Sequence, residues 1–482
     1  MLFDCDKWDD SWFKDTSFDV CVCGTGPAGI TLARTLASKG RRVALMEAGG
    51  LEFSPESQSV YQGDNIGLPY ASLDACRLRY FGGTSNHWDG YTRPLDVRDF
   101  EPLPHHPLNE WPIKQEDLNG YSARADEILD LPSDQPPPSL FGEKETILKP
   151  IELRPSAPTR FGPKYKEELA SSELVSLCLN ANLVDIQLDT NLQAVSSVLF
   201  RSNARTEPFA ISARYIVVCC GGLENARILL NSNHQIPGGI GNQHDLVGRF
   251  FSEHLEVEVG HAIMASPLKS PSIYIANNDL ILARQCLSFF AELYPLRAEE
   301  TRFQRYADSA LCALPFSQRM GRALLGRDPI CFDAVVVITT EQAVNPDSRV
   351  TLSDRTDRFG LRHLSLDWRL TDLDYHTVRT AALELGRALA QHGVGRMRLS
   401  PSLLDPSLPI PKIGSQDHHM CTTRMSDDPK IGVVDRNCRV HGVENLYMGG
   451  SSVFASGGVS NPTYSIVQLA LRLADHLGSR LD

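Results

Sequence analysis

An apolar strand, a glycine turn, a helix and a second strand follow one another from Phe18. After residue 253 the pattern changes to strand candidates of antiparallel type, and near the C-terminus a glycine-rich strand and a long helix return. These observations predict an α/β fold with two domains. One is a Rossmann-like domain assembled from both ends of the chain. The other is an α+β substrate domain built on an antiparallel sheet. The expected boundaries are 1–252 with 410–482 for the first, discontinuous domain and 253–409 for the second. A length of 482 residues exceeds what one core usually holds, in keeping with this division.

Phe18–Cys23 is a short apolar run of the kind buried on both faces of a parallel sheet. Gly24–Gly29 turns it into a helix over Ile30–Ser38, Gly40 stops that helix, and Arg42–Met46 reads as the next strand. Leu51–Arg79 has little periodicity and reads as an extended excursion. Tyr80–Asp99, rich in glycine and aromatics, reads as a loop laid against a ligand. Lys114–Leu131 predicts a helix, with Glu116 and Asp117 in its first turn. Pro132–Ser139 is a proline-stiffened loop. A second segment of the first domain begins near Val175, with strands at Leu183–Leu188, Ala194–Phe200 and Ala213–Cys220, the last running into Gly221-Gly222 and a helix Asn225–Leu230. Phe332–Thr339, Arg349–Leu352 and Leu364–Trp368 are grouped as one antiparallel sheet, under the amphipathic helix Tyr375–His392. Strand Leu446–Met448 and helix Thr463–Leu477 close the chain.

The composition, 42% hydrophobic and 22% charged, is that of a globular protein, and the net charge of −12 argues against a nucleic-acid surface. No apolar run is long enough to span a bilayer. The acidic start MLFDCDKWDD lacks the regions of a signal peptide, so a cytoplasmic location is expected. The 12 cysteines have no disulfide-scaffold spacing and are expected to be mostly reduced, buried thiols. No metal-ligand spacing is present, and no metal is expected.

Gly24, Gly26 and Gly29, with Pro27 and Ala28 between them, form GTGPAG. The first glycine permits the turn, the second lets a pyrophosphate approach, and the third lets helix and strand pack closely. The helix N-terminus then offers free N–H groups to phosphates. Glu47 ends the second strand, where a carboxylate meets a ribose hydroxyl and disfavours a 2′-phosphate. This order of elements predicts a dinucleotide site. In YFGGTSNHWDGYTRP, Gly82 and Gly83 allow close backbone approach, and His87 and Trp88 supply an imidazole and a flat apolar face. Read alone, those two side chains merely pack. Near the C-terminus, Gly450 and Ser451 lie in a turn that closes the cleft, and Asn461-Pro462-Thr463 opens the last helix. His418 and His419 precede Thr422–Met425; an imidazole accepts a proton near neutrality, and an asparagine beside it orients a hydroxyl.

GTGPAG, GGTSNHW, RPLDVRDFE, GGLENARILL, DLVGRFFSEH, NPDSRVTLS, HHMCTTRM and GVSNPT occur in this order. In that ordered set the chain resembles the glucose–methanol–choline (GMC) flavoprotein oxidoreductases, most of all the bacterial branch with sugar and polyol dehydrogenases. Leu255–Arg327 matches little. The resemblance implies FAD and oxidation of a CH–OH group by hydride transfer to the flavin. It implies His418 as the general base, six positions before Arg424, and Asn461 as the second catalytic position. It places Gly83, Thr84, Asn86, His87, Trp88, Gly450, Ser451, Pro462 and Thr463 around the flavin, and Val184 at the position whose backbone contacts the adenine. His87 stands where some relatives attach the flavin covalently. Cys421, Asp89 and Ser426 stand where many members have glycine. The implied partners are a small alcohol and an electron acceptor, either a quinone, an electron carrier or oxygen. An oxidase, a hydroxynitrile-lyase-like non-redox enzyme and a non-catalytic FAD scaffold remain the alternatives.

Overall fold

The computed structural model describes the chain except residues 8–12, 14, 15, 134, 136, 143, 144, 157, 158, 297–300, 406 and 411. The expected loop Pro132–Ser139 therefore falls partly outside the described residues. Among those described, six strands form one parallel sheet. Their order is Leu2–Asp4, Val175–Leu179, Val43–Met46, Phe18–Cys23, Ala213–Val218 and Leu446–Met448. Val20–Cys23, Val43–Met46 and Leu446–Met448 are buried throughout, which is why they read as continuous apolar runs rather than alternations. The last helix, Thr463–Leu481, packs on the first long one, Pro27–Ser38, so both ends of the chain share a core.

A second sheet is antiparallel. It runs Gly395–Leu399, Leu255–Met264, Ala334–Thr340, Phe289–Pro295, Ser272–Ala276 and Leu148–Ile151, with Gly414–Ser415 added beside Leu255–Met264. Helix Asp372–Gln391 covers it, burying Val378, Ala381, Leu385 and Leu389 in a separate core. An exposed pair of helices, Arg302–Cys312 and Ser317–Leu325, is inserted between Phe289–Pro295 and Ala334–Thr340.

Three expectations differ from the structure. Arg349–Thr356 and Arg362–Asp367 do not join the large antiparallel sheet; with Gly63–Asn65 they make a three-stranded sheet of their own. Their apolar residues Val350, Leu364, Leu366 and Trp368 enter the first core instead. An alternating pattern specifies a buried face, not which core receives it. Leu51–Arg79 thus contains a strand and a short helix, Pro55–Gln58. The helix expected over Lys114–Leu131 is two short helices, Glu116–Asn119 and Ser122–Ile128, parted at Gly120. The cysteines are mostly free, as expected: ten are thiols, and Cys312 and Cys331 alone are disulfide-bonded, because the helix pair returns the chain to within a Cα–Cα distance of 5.4 Å.

Candidate functional site

The two sheets enclose a cavity of about 750 Å3. Its first wall is the glycine turn. Gly24 has φ +105°, and a Cβ there would stand 2.4 Å from the Cys219 carbonyl oxygen; a Cβ on Gly29 would stand 1.9 Å from the Gly24 carbonyl oxygen. Gly26, which precedes helix Pro27–Ser38, has open space where a Cβ would be, and no side chain caps that helix. Gly24, Gly26, Pro27 and Ala28 all line the cavity. Glu47 lines it too, its carboxylate accepting the backbone N–H of Gly49 at 2.8 Å and of Thr25 at 3.2 Å. Burial raises the Glu47 pKa against these bonds and the charge of Arg79.

A second uncapped N-terminus meets the same space. Gly221 has φ +91° and room for a Cβ, and precedes helix Gly222–Asn231; Gly221, Gly222 and Leu223 line the cavity. Sequence reasoning saw this strand-glycine-glycine-helix pattern but did not count it as a binding element. The third is the last helix, whose cap residue Pro462 offers no side-chain acceptor; Asn461, Pro462 and Thr463 are all lining residues. Three helix N-termini thus turn free N–H groups toward one cavity, an arrangement suited to negative charge.

The loop after Tyr80 supplies Gly83, Thr84, His87 and Trp88 to the lining. Trp88 donates its indole N–H to the Thr159 carbonyl at 2.9 Å. His87 has a lowered pKa, first from burial and then from Arg160. Asn86 is not a lining residue. Its amide donates to the Phe81 carbonyl at 2.9 Å and holds the loop's own shape. Val184 is not a lining residue either; Ala181 and Leu183 are, because successive residues of strand Asn182–Leu188 face opposite ways. Gly450 and Ser451 line the cavity. The Ser451 hydroxyl donates to the His419 carbonyl at 2.7 Å, and its own carbonyl accepts the Cys421 N–H at 3.1 Å. Cys421 itself has φ +68°, a conformation that favours the glycine many family members carry there.

His418 is half-buried and opens on the cavity. Its backbone N–H donates to Glu253 Oε1 at 2.8 Å, and the N–H of His254 reaches the same oxygen at 2.8 Å. The Tyr70 hydroxyl bonds to the other oxygen of Glu253. His418 Nδ1 lies 2.9 Å from His254 Nδ1, and His254 Nε2 lies 2.9 Å from the Gly458 carbonyl oxygen. Burial, then the neighbouring His254 and His419, push the His418 pKa well below its ordinary value. His419 faces the same cavity with its Nε2 unbonded among the described residues, beside Tyr70 and Phe251. Asn461 donates its amide to the Tyr91 carbonyl at 3.0 Å. Sequence reasoning missed His254 and Glu253, although both lie in the quoted DLVGRFFSEH.

The antiparallel sheet supplies the remaining wall, with Glu256, Phe290, Glu292, Tyr294 and Thr339. Glu292 is 4% exposed and accepts the Thr339 hydroxyl at 2.6 Å and the Tyr294 hydroxyl at 2.5 Å. Burial raises its pKa, and the charge of Glu256 adds to the rise.

Residues 344–470 match the family model described as GMC oxidoreductase. The chain is 29% identical over 283 residues to 6'''-hydroxyparomomycin C oxidase of Streptomyces lividus, covering 56% of this chain and 46% of that protein. It is 22% identical to 2-methyl-1,2-propanediol dehydrogenase of Mycolicibacterium austroafricanum, covering 96% of this chain and 95% of the other. A solved fungal aryl-alcohol oxidase superposes with a TM-score of 0.64 at 13% identity, covering 96% of this chain and 99% of that one. The match to the Streptomyces protein spans less than half its length, whereas the match to the dehydrogenase spans nearly all of it. The cavity suits FAD: the Gly24 turn and the open space over Gly26 would admit a pyrophosphate, and the three uncapped helix N-termini would favour the anionic groups of such a molecule. No helix among the described residues is long and apolar enough to cross a membrane. Its C-terminal segment matches the GMC oxidoreductases, a family of FAD-dependent flavoproteins, and its fold is similar to that of a solved aryl-alcohol oxidase over nearly the whole chain.

Proposed function

We propose that the protein oxidises a CH–OH group of a hydroxylated small molecule, with His418 accepting the hydroxyl proton and Asn461 orienting the hydroxyl oxygen. The observation that carries this reading is the setting of His418. Its ring opens on the cavity, while Glu253 fixes its backbone and His254 engages its Nδ1. Its lowered pKa keeps the imidazole neutral at neutral pH, the state a proton acceptor needs. The bond from Asn461 to Tyr91 holds one amide N–H and leaves the second N–H and Oδ1 to meet a substrate. Gly24, Gly26, Glu47, Gly221 and the start of the last helix would hold FAD, which supplies the acceptor for the hydride.

The cavity wall favours a basic substrate. Glu256, Glu292 and Asp417 line it, whereas the guanidinium in the lining, Arg77, is ion-paired with Glu224 at 3.2 Å. An ammonium group on a polyol or sugar is attracted by this field, and a carboxylate is repelled. The relatives named for hydroxyparomomycin C and for 2-methyl-1,2-propanediol support a hydroxylated small molecule as substrate.

The test is anaerobic mixing of holoenzyme with neutral polyols and their amino-substituted counterparts, following the loss of flavin absorbance. Bleaching by an alcohol separates this reading from a non-redox lyase. His418→Gln should keep its FAD and lose at least about 100-fold in turnover. Unchanged turnover with saturating artificial acceptor overturns the assignment.

A further inference from the structure

We propose that His254 is a positioning residue that sets which nitrogen of His418 carries the proton and which is free to receive one. The inference rests on His418 as the proton acceptor and goes beyond it.

The hydrogen-bond chain begins at Gly458. A carbonyl oxygen can only accept, so in the 2.9 Å contact the hydrogen belongs to His254 Nε2. A neutral imidazole with its hydrogen on Nε2 has a lone pair on Nδ1. The two Nδ1 atoms, 2.9 Å apart with rings nearly perpendicular at 86°, share one hydrogen between them. It must therefore sit on His418. His418 is then the Nδ1–H tautomer, and its Nε2 carries the lone pair. Were His254 a cation, the direction would reverse and His418 Nε2 would be capped by hydrogen. His254 is 0% exposed, and burial pushes its pKa down to about 4, against the pull of the bonds to Gly457 and Gly458. The ionisable groups around the pair are Glu253, bonded to both backbones, Asp417 and His419 on the His418 segment, and Glu341, bonded to the Gly458 N–H. When His418 takes a second proton, its Nδ1–H already points at an acceptor, so the new charge is met without rearrangement.

The test compares wild type, His254→Leu, His254→Asn and His418→Gln as holoenzymes, with FAD content measured for each. Asparagine places Oδ1 about where Nδ1 stood and keeps an acceptor; leucine removes it. Expected is a fall of about 100-fold in kcat for His254→Leu with KM little changed, and a fall of less than about tenfold for His254→Asn. In 15N-histidine-labelled wild type, His418 Nε2 should give the signal of an unprotonated ring nitrogen at neutral pH. A His254→Leu enzyme that turns over like wild type while His418→Gln is inactive overturns the role of His254 alone. An active His418→Gln overturns the prior reading, and the role of His254 falls with it. If His254→Leu loses its FAD, the nitrogen spectrum decides: an Nε2–H on His418 overturns the proposal.

Discussion

Glu253 ties the His418 segment to the antiparallel sheet, and its charge state sets a measurable pH dependence. It is 0% exposed. Burial raises its pKa from 4.5 to about 7, with Asp417 adding to the rise and three hydrogen bonds opposing it. The folded protein therefore holds this proton more tightly than the unfolded chain. The stability so gained is complete below about pH 4.5 and is lost as the pH rises through about 7. The interval corresponds to roughly 3 kcal/mol. Glu253→Gln removes the charge and keeps an oxygen for the backbone N–H groups of His254 and His418. At about 2 cal/mol/K per residue, unfolding a chain of this length carries an entropy of about 1 kcal/mol/K, so 3 kcal/mol moves Tm by about 3 °C. Melting curves read from flavin fluorescence at pH 5 and pH 9 provide the assay. The variant should match or fall slightly below wild type at pH 5 and exceed it by about 3 °C at pH 9. A variant no more stable than wild type at pH 9, or a difference that is the same at both pH values, refutes the reasoning.

Other outcomes follow from single atoms. Gly29→Ala places a methyl 1.9 Å from the Gly24 carbonyl oxygen, so helix and strand must part and FAD affinity should fall at least about tenfold, seen as a lower flavin-to-protein absorbance ratio. Cys421→Gly relieves about 1 kcal/mol of left-handed backbone strain and gives up a buried thiol worth about the same, so Tm should move by less than about 2 °C while turnover persists. Glu292→Gln should raise KM about tenfold for an amine-bearing substrate, a loss of about 1.4 kcal/mol, and leave KM for the neutral counterpart unchanged in steady-state assays.

What could be read from the sequence divides along the range of the interactions. The turn Gly24–Gly29 and the acid Glu47 are local, since strand, glycine spacing and helix lie within one β-α-β unit, and Gly24, Gly26 and Glu47 line the cavity. The pair His418 and Asn461 rests on the resemblance, because both histidines face the cavity and nothing local marks His418 as the one that accepts a proton. His254 was not seen at all, for its partners lie 164 and 204 residues away. Val350, Leu364 and Leu366 were correctly read as strand residues but given to the wrong sheet, since periodicity carries no address. Cys421, an anomaly in the sequence, is explained by its φ of +68°: the backbone still wants glycine, and the burial of the thiol makes the exception tolerable.

The order of strands has a consequence for synthesis. Leu446–Met448 pairs with Ala213–Val218, and Thr463–Leu481 lies on Pro27–Ser38, so a unit translated early is completed by segments translated much later. A nascent chain displays its glycine turn long before the helix and strand that pack beside it have left the ribosome. Until Leu446–Met448 is made, one side of Ala213–Val218 is an unpaired sheet edge of buried-type residues. A transcript cut short of residue 446 yields a chain whose nucleotide turn can form but whose flank stays open to chaperones and proteases.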